Sequence, residues 1–351
     1  MCRVSRGLCV WMLSVSAVTG TAAAAGATAE DWGPLEIAGR RIDVGTTMRF
    51  PLMPDRSYEA SHLNIPVFVA RGVEPGPTLC LTAGIHGDEL SGVEVARRAF
   101  VATDPKALSG TLIALPIVNA EGFRSGSRYL SDRRDLNRYW PGSANGSVAS
   151  IIAGAVFTRV LSNCDALIDL HTASFHRTNT PQIRVDAGDE RSLALARHFT
   201  DAIIVAGKGP SGSLRREAVD AGIPAIIYEA GEPMRFELDK IEPGVAGVRN
   251  VMRFLEMVPG EATTIPADRI FYRSSWSRVP MGAGGFFYPE ADLGDRVTEG
   301  QTLGHVIDPL TDVSTPTKAH RSGEIIGRAV AQPVLSGYGL FHIGTGGSAA
   351  E

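Results

Sequence analysis

The chain has 351 residues, 44% of them hydrophobic, with 39 glycines and a formal net charge of −4 at pH 7. That content excludes a disordered or low-complexity chain and leaves ample core for one large and one small domain. A mild negative charge without a basic patch argues against nucleic acid as a partner.

The amino terminus reads as a leader over residues 1–24. Arg3 and Arg6 precede an apolar stretch from Leu8 to Val18, and the tract Thr21–Ala27 offers Ala-x-Ala cleavage sites. The apolar core falls short of the roughly 20 residues of a membrane span, so a cleaved signal peptide and a periplasmic or secreted enzyme are expected. Cys2 and Cys9 leave with the leader. Cys80 and Cys164 are expected as buried thiols, because two separate strands rarely meet disulfide geometry.

Thr78–Ala83 is a short apolar run bounded by Pro77 and Gly84, which predicts a buried strand, and a helical pattern follows from Leu90 to Phe100. Between them stand His86 and Glu89, three residues apart, where open α/β sheets bind ligands. They form a candidate zinc clasp. The bland alternative is a helix amino terminus with Asp88 and Glu89 placed favourably on the dipole. A strand is predicted near Thr111–Val118. After it, the polar segment Arg124–Gly142 holds five arginines, of which Arg124, Arg133 and Arg134 suit a solvated loop. Asn137 and Arg138 differ, since an amide donor beside a planar guanidinium can hold a carboxylate.

A helix is predicted near Ala149–Leu161, then a strand, Asp165–Ser174, whose polar residues gather at its carboxyl end. His171 there is a candidate third ligand, and Asp169 could orient its ring. Two histidines and a glutamate are a common catalytic zinc set that leaves a position for water. A helix near Arg191–Phe199 and a strand near Ala202–Val205 follow. The strand in Gly222–Glu232 ends on Glu229, a carboxylate that is costly beside an apolar run unless it is used; facing an activated water, it would be a general base. A helix ends near Met257, and Val258–Pro266 is a turn-rich linker. The alternation predicts an α/β fold with a mixed, largely parallel sheet flanked by helices, over residues 25–262. Residues 263–351 show short β-like runs broken by Gly and Pro, which predicts a small all-β domain.

Together, Gly-Ile-His-Gly-Asp-Glu, Asp-Leu-Asn-Arg, Asp-Leu-His-Thr and Tyr-Glu-Ala-Gly resemble the succinylglutamate desuccinylase and aspartoacylase family, a branch of the zinc carboxypeptidase fold. The resemblance spans most of the mature chain. It implies one zinc ion per subunit on His86, Glu89 and His171, a substrate carboxylate on Asn137 and Arg138, Arg128 polarising the scissile carbonyl, and Glu229 as catalytic base. The segment Gly284–Gly304 resembles the barrel-sandwich module of biotinyl and lipoyl carriers and the C-terminal domain of aspartoacylase-like enzymes. Lys318, the single lysine of that region, lacks a carrier context. The β domain is therefore expected to pack beside the active site and narrow it, with Tyr288 or His320 as candidate contributors.

The implied activity is hydrolysis of the amide bond of a small N-acyl amino acid or related amide, with no nucleic-acid partner, no stable membrane anchor and homo-oligomerisation left open. A zinc carboxypeptidase acting on peptides or cell-wall stem peptides would use the same groups. A catalytically silent binding module is the third alternative. Arg184 and Arg215 add positive charge that would suit a second substrate carboxylate or simply a solvated surface.

Overall fold

The computed structural model describes residues 32–54 and 64–346, so the expected leader lies outside the described residues. A hairpin of β1 (Leu35–Ile37) and β2 (Arg40–Ile42) opens the fold. The N-terminal part then runs through β3 (Thr46–Leu52), β4 (Ile65–Arg71), β5 (Glu74–Ala83), β6 (Ser109–Leu115), β7 (Ala166–His171), β8 (Arg177–Val185), β9 (Ile203–Ala206) and β10 (Ala225–Gly231). Its helices are α1 (Leu90–Val101), α2 (Ala120–Ser125), α3 (Val148–Arg159), α4 (Glu190–Arg197), α5 (Leu214–Asp220) and α6 (Leu238–Phe254). The C-terminal part comprises β11 (Ile270–Arg278), β12 (Gly285–Pro289), β13 (Arg296–Val297), β14 (Thr302–Ile307), β15 (Ser314–Lys318), β16 (Gly323–Ala329), β17 (Gln332–Val334) and β18 (Gly339–Gly346).

One 12-stranded sheet runs in the order β13-β16-β18-β11-β9-β8-β10-β7-β5-β6-β4-β3. The expectation of a largely parallel sheet needs correction. Parallel pairing is confined to β6, β5, β7 and β10 at the centre and to β8, β9 and β11. The outer strands β3 and β4, the β10–β8 junction and the C-terminal strands among themselves pair antiparallel. Helical crossovers enforce parallel pairing only where they intervene, as α1 does between β5 and β6.

Both faces of the central strands are covered, which is why they read as apolar runs rather than alternating patterns. All six residues of β7 are buried. On one face α1 and α6 pack through Val95, Phe100, Val248 and Met252 against Leu81, Ile168 and Tyr228. On the other, Ile152, Val156 and Leu214 close over Val67, Ile113 and Leu167. Gly92 permits one of these close contacts, since a Cβ there would stand 2.5 Å from the carbonyl oxygen of Leu170. The first turn of α1 thus lies directly on the end of β7, beside His171.

The C-terminal strands do not form a detached bead. A four-stranded sheet, β15-β14-β12-β17, has its own core around Phe287, Leu303, Val306 and Phe341. Through β11 and β16, however, the region hydrogen-bonds into the N-terminal strands of the large sheet, β11 parallel to β9 and β16 antiparallel to β8. Cys80 and Cys164 form a disulfide with Cα atoms 5.8 Å apart, contrary to the expected thiols. Cys164 stands two residues before the start of β7, which pairs with β5, so neighbouring strands supply the proximity that separate ones lack.

Candidate functional site

The carboxyl ends of β5, β7 and β10 converge on one cavity of about 290 Å³. His86 and Glu89 come from the turn between β5 and α1, and His171 is the last residue of β7. The turn is fixed by backbone bonds from Val118 and Asn119 to the carbonyls of Ala83 and Gly84.

Glu89 sits between the two imidazoles, its Oε1 2.8 Å from His86 Nδ1 and its Oε2 2.6 Å from His171 Nδ1. All three residues are buried, and one ligand atom from each lies within 4.8 Å of the others. The outward ring nitrogens are held by carboxylates: His86 Nε2 lies 3.1 Å from Asp135 Oδ1, and His171 Nε2 2.8 Å from Asp169 Oδ2. Asp169 is itself fixed by the Thr82 hydroxyl at 2.7 Å. Three convergent donors of the types zinc prefers, with both rings oriented from behind, fit a zinc site. Burial opposes every charge here, yet Glu89 is held well below the ordinary carboxylate range by His86 and His171. His171 is raised well above the ordinary imidazole value by Asp169 and Glu89, and His86 is raised by Glu89 and Asp135, in each case against burial.

Arg128 reaches the cluster from the loop after α2. Its Nη1 donates to Ser174 Oγ at 2.6 Å and to Glu89 Oε1 at 3.3 Å, while Nη2 donates to Asp135 Oδ2 at 2.9 Å. A guanidinium tied on two sides has little freedom left and presents a fixed charge to the cavity. Ser174 completes the tie by donating to Glu89 Oε1 at 2.8 Å. Asn137 and Arg138 follow within a single 3-10 turn capped by Asp135, whose Oδ1 accepts from the Asn137 backbone at 2.9 Å. The Leu214 backbone donates to Asn137 Oδ1 at 2.8 Å, which fixes the amide so that its NH₂ is the group left for a ligand.

Glu229 lies on β10, with Oε2 2.7 Å from Arg184 Nη2 and accepting from Asn179 Nδ2 at 3.0 Å. Both partners come from β8. Every residue of the expected site therefore lines this cavity: His86, Glu89, Arg128, Asn137, Arg138, His171 and Glu229. Arg184 and Arg215 line it too, whereas Arg124 and Arg133 are exposed.

The C-terminal region contributes to the cavity, but through neither expected residue. Tyr288 is half exposed on β12, and His320 is engaged by the hydroxyls of Ser275 and Ser277 at 2.6 and 2.7 Å. Trp276 of β11 lines the cavity instead, stacked on His342 with ring centroids 4.8 Å apart and with the Arg177 guanidinium 4.9 Å from its ring. Asp135, Asn179 and Trp276 were not singled out from the sequence, and Ser174 was noted only as one of the polar residues at the end of its strand. Asp135 stood within the Asp-Leu-Asn-Arg motif and carried a usable signal; Asn179 and Trp276 stand on strands that show their positions only after folding.

Residues 75–255 match the family model described as the succinylglutamate desuccinylase/aspartoacylase catalytic domain. N-alpha-acetyl-L-2,4-diaminobutyric acid deacetylase from Halomonas elongata is 27% identical over 303 residues, covering 83% of this chain and 88% of the relative. The fold is similar to the product-bound ectoine utilization protein EutE (DoeB) of Ruegeria pomeroyi, with a TM-score of 0.78 at 23% identity over 89% of this chain and 98% of that one. It is similar also to a succinylglutamate desuccinylase/aspartoacylase from Rhodobacter sphaeroides, with a TM-score of 0.76 at 23% identity over 88% and 97%. With the match covering more than half of the sequence and the site assembled from all four motifs, the chain belongs to the succinylglutamate desuccinylase/aspartoacylase family.

Proposed function

We propose that this chain is an exported, zinc-dependent amidohydrolase that removes the acyl group from a small N-acyl amino acid. The observation that carries the reading is one cavity holding the His86–Glu89–His171 cluster, Arg128 and Glu229 together. The deacetylase from Halomonas elongata supports amide hydrolysis as the reaction class. The expected leader and the Cys80–Cys164 disulfide support export, because disulfides persist in oxidising compartments. No helix among the described residues is long and apolar enough to cross a membrane.

His86, Glu89 and His171 would hold the zinc ion, which when bound supplies a Lewis acid and acidifies a water. Asn137 and Arg138 bind the substrate carboxylate and set the amide in line, which converts encounter into orientation. Glu229 accepts the proton of the attacking water and returns it to the leaving amine. Arg128, clamped by Asp135 and Ser174, donates to the carbonyl oxygen as negative charge grows there, an effect commonly worth about 3 kcal/mol for a well-placed donor.

Amine release by the purified, zinc-loaded mature protein tests the reading, across matched panels of N-acyl amino acids and unblocked peptides with Glu229→Gln as the blank. Preference for acyl amino acids is expected. Preference for peptides would move the chain to the carboxypeptidases, and silence on both with zinc bound would favour a binding module.

A further inference from the structure

Two consecutive residues, Phe175 and His176, stand in the left-handed backbone region, at φ of 55° and 53°. Neither is glycine, and a bulky side chain keeps such a backbone only where its surroundings over-determine it. Both follow Ser174 in the segment that joins β7 to β8. On its β7 side that segment is tied to the N-terminal part, the Thr172 backbone donating to Glu89 Oε2 at 3.2 Å and the Ala173 backbone to the Gly231 carbonyl at 3.1 Å. On its β8 side the ties come from the C-terminal part. The Phe175 carbonyl accepts from the Tyr338 hydroxyl, and the His176 carbonyl accepts from Gln332 Nε2 at 2.7 Å and from the Val330 backbone at 3.0 Å. Tyr338 is itself steadied, with the Arg177 guanidinium 4.2 Å from its ring and Arg177 Nε donating to the Gly339 carbonyl at 3.0 Å. Ser174 sits where the two sets of ties meet. Its Oγ accepts the shortest bond of Arg128 Nη1, at 2.6 Å, and donates to Glu89 Oε1 at 2.8 Å.

We propose that Gln332 and Tyr338 are positioning residues for the reaction: by holding Phe175 and His176 left-handed they keep Ser174 Oγ between Arg128 and Glu89, and so aim the Arg128 guanidinium. Neither residue lines the cavity. The inference rests on the deacylase reading, with Arg128 donating to the scissile carbonyl. It gives the C-terminal strands a part in the chemistry besides narrowing access. Without the two donors, Phe175 and His176 relax toward ordinary backbone and turn Ser174 away. Arg128 Nη1 then loses its closest partner while Asp135 still holds Nη2, so the guanidinium pivots on one side. The bonds from Glu89 to the two imidazoles do not pass through Phe175 or His176, and the metal ligands stay in place.

The test removes only the two donor groups, in the double variant Gln332→Ala/Tyr338→Phe of the zinc-loaded full chain, assayed on the acyl amino acid that wild type turns over best. Its kcat should fall by about tenfold or more, because a small misplacement of a donor at the reacting carbonyl is costly, while KM and zinc content change little. In an Arg128→Met background the same two changes should cost no further kcat, since the aim of a missing guanidinium cannot matter. Glycine takes a left-handed backbone without help. His176→Gly, at an exposed position outside the cavity, should therefore leave wild-type kcat unchanged and restore most of the rate to the double variant, whereas His176→Ala should not. An unchanged kcat in the double variant would overturn the proposal. So would a loss that persists in the Arg128→Met background or that glycine fails to relieve, either of which makes these ties plain structural support. Hydrogen exchange over residues 172–178 gives a readout that does not depend on turnover. Faster exchange in that segment of the double variant, reversed by no change elsewhere in the sheet, supports the clamp even if no acyl amino acid is a substrate, in which case the deacylase reading alone fails; exchange equal to wild type sinks the clamp.

Discussion

Asp135 and Asp169 face the outer nitrogens of the two histidines, and on the proposed zinc reading their removal should weaken metal binding without removing a ligand. Asp169→Ala is expected to lower zinc affinity by about 10- to 100-fold, measured by chelator competition, with activity recovered in excess zinc. Unchanged affinity would show that Glu89 and the strand suffice to orient His171. Protons would compete with the metal for the inner Nδ1 atoms, which face Glu89. Because Asp169, Glu89 and Asp135 raise His171 and His86 against burial, zinc must displace protons from them, so affinity should climb as pH rises through their raised values and fall on acidification. Glu229 should behave differently. Glu229→Gln is expected to cost about a hundredfold or more in kcat while zinc content holds, read by metal analysis beside single-turnover rates.

The elements that carry the site divide by how they announce themselves. β5, β7 and β10 are short apolar runs ending in polar residues, and a run buried on both faces leaves that mark in any single sequence. Their ends therefore located His86, Glu89, His171 and Glu229. β8 left no such mark: Arg177-Thr-Asn-Thr-Pro-Gln-Ile-Arg-Val is mostly polar because it borders the cavity, and Asn179 and Arg184 on it stayed without a role in the proton transfer. The mixed direction of the sheet was equally hidden, since pairing partners distant in sequence decide it. β16 shows the consequence of such pairing. Gly327 stands opposite Asn179, and a Cβ there would lie 2.5 Å from Asn179 Oδ1. Gly327→Ala should cost about 1–3 kcal/mol of stability as an overpacked contact. It should also lower kcat severalfold at constant zinc content, by displacing the amide that fixes Glu229. A lowered Tm with unchanged kcat would mean that Asn179 is dispensable to the base.

Two parts of the chain joined through one sheet should not titrate or unfold as strangers. His342, on β18 beneath Trp276, is pushed down to about 3 by burial, with Arg184 and His320 adding repulsion. Its folded value lies below the ordinary 6.5, so the neutral ring contributes stability that is complete above 6.5 and is lost as pH falls toward about 3. Thermal melts across that window should show acid destabilisation that His342→Phe reduces, and an unchanged profile would place the acid lability elsewhere. The disulfide acts across a different span. Cys80 and Cys164 stand 84 positions apart, and the closed loop contains His86, Glu89, Arg128, Asn137 and Arg138, while His171 and Glu229 lie beyond it. By chain entropy such a loop contributes up to about 4.6 kcal/mol, and Cys164→Ser should lower Tm accordingly. The exposed Arg133 falls inside the loop, on a surface segment open to trypsin-like proteases. A cut after Arg133 would divide the polypeptide without dividing the molecule: one band under non-reducing electrophoresis, two after reduction, with the two halves of the His86–Glu89–His171 cluster kept on a single covalent body.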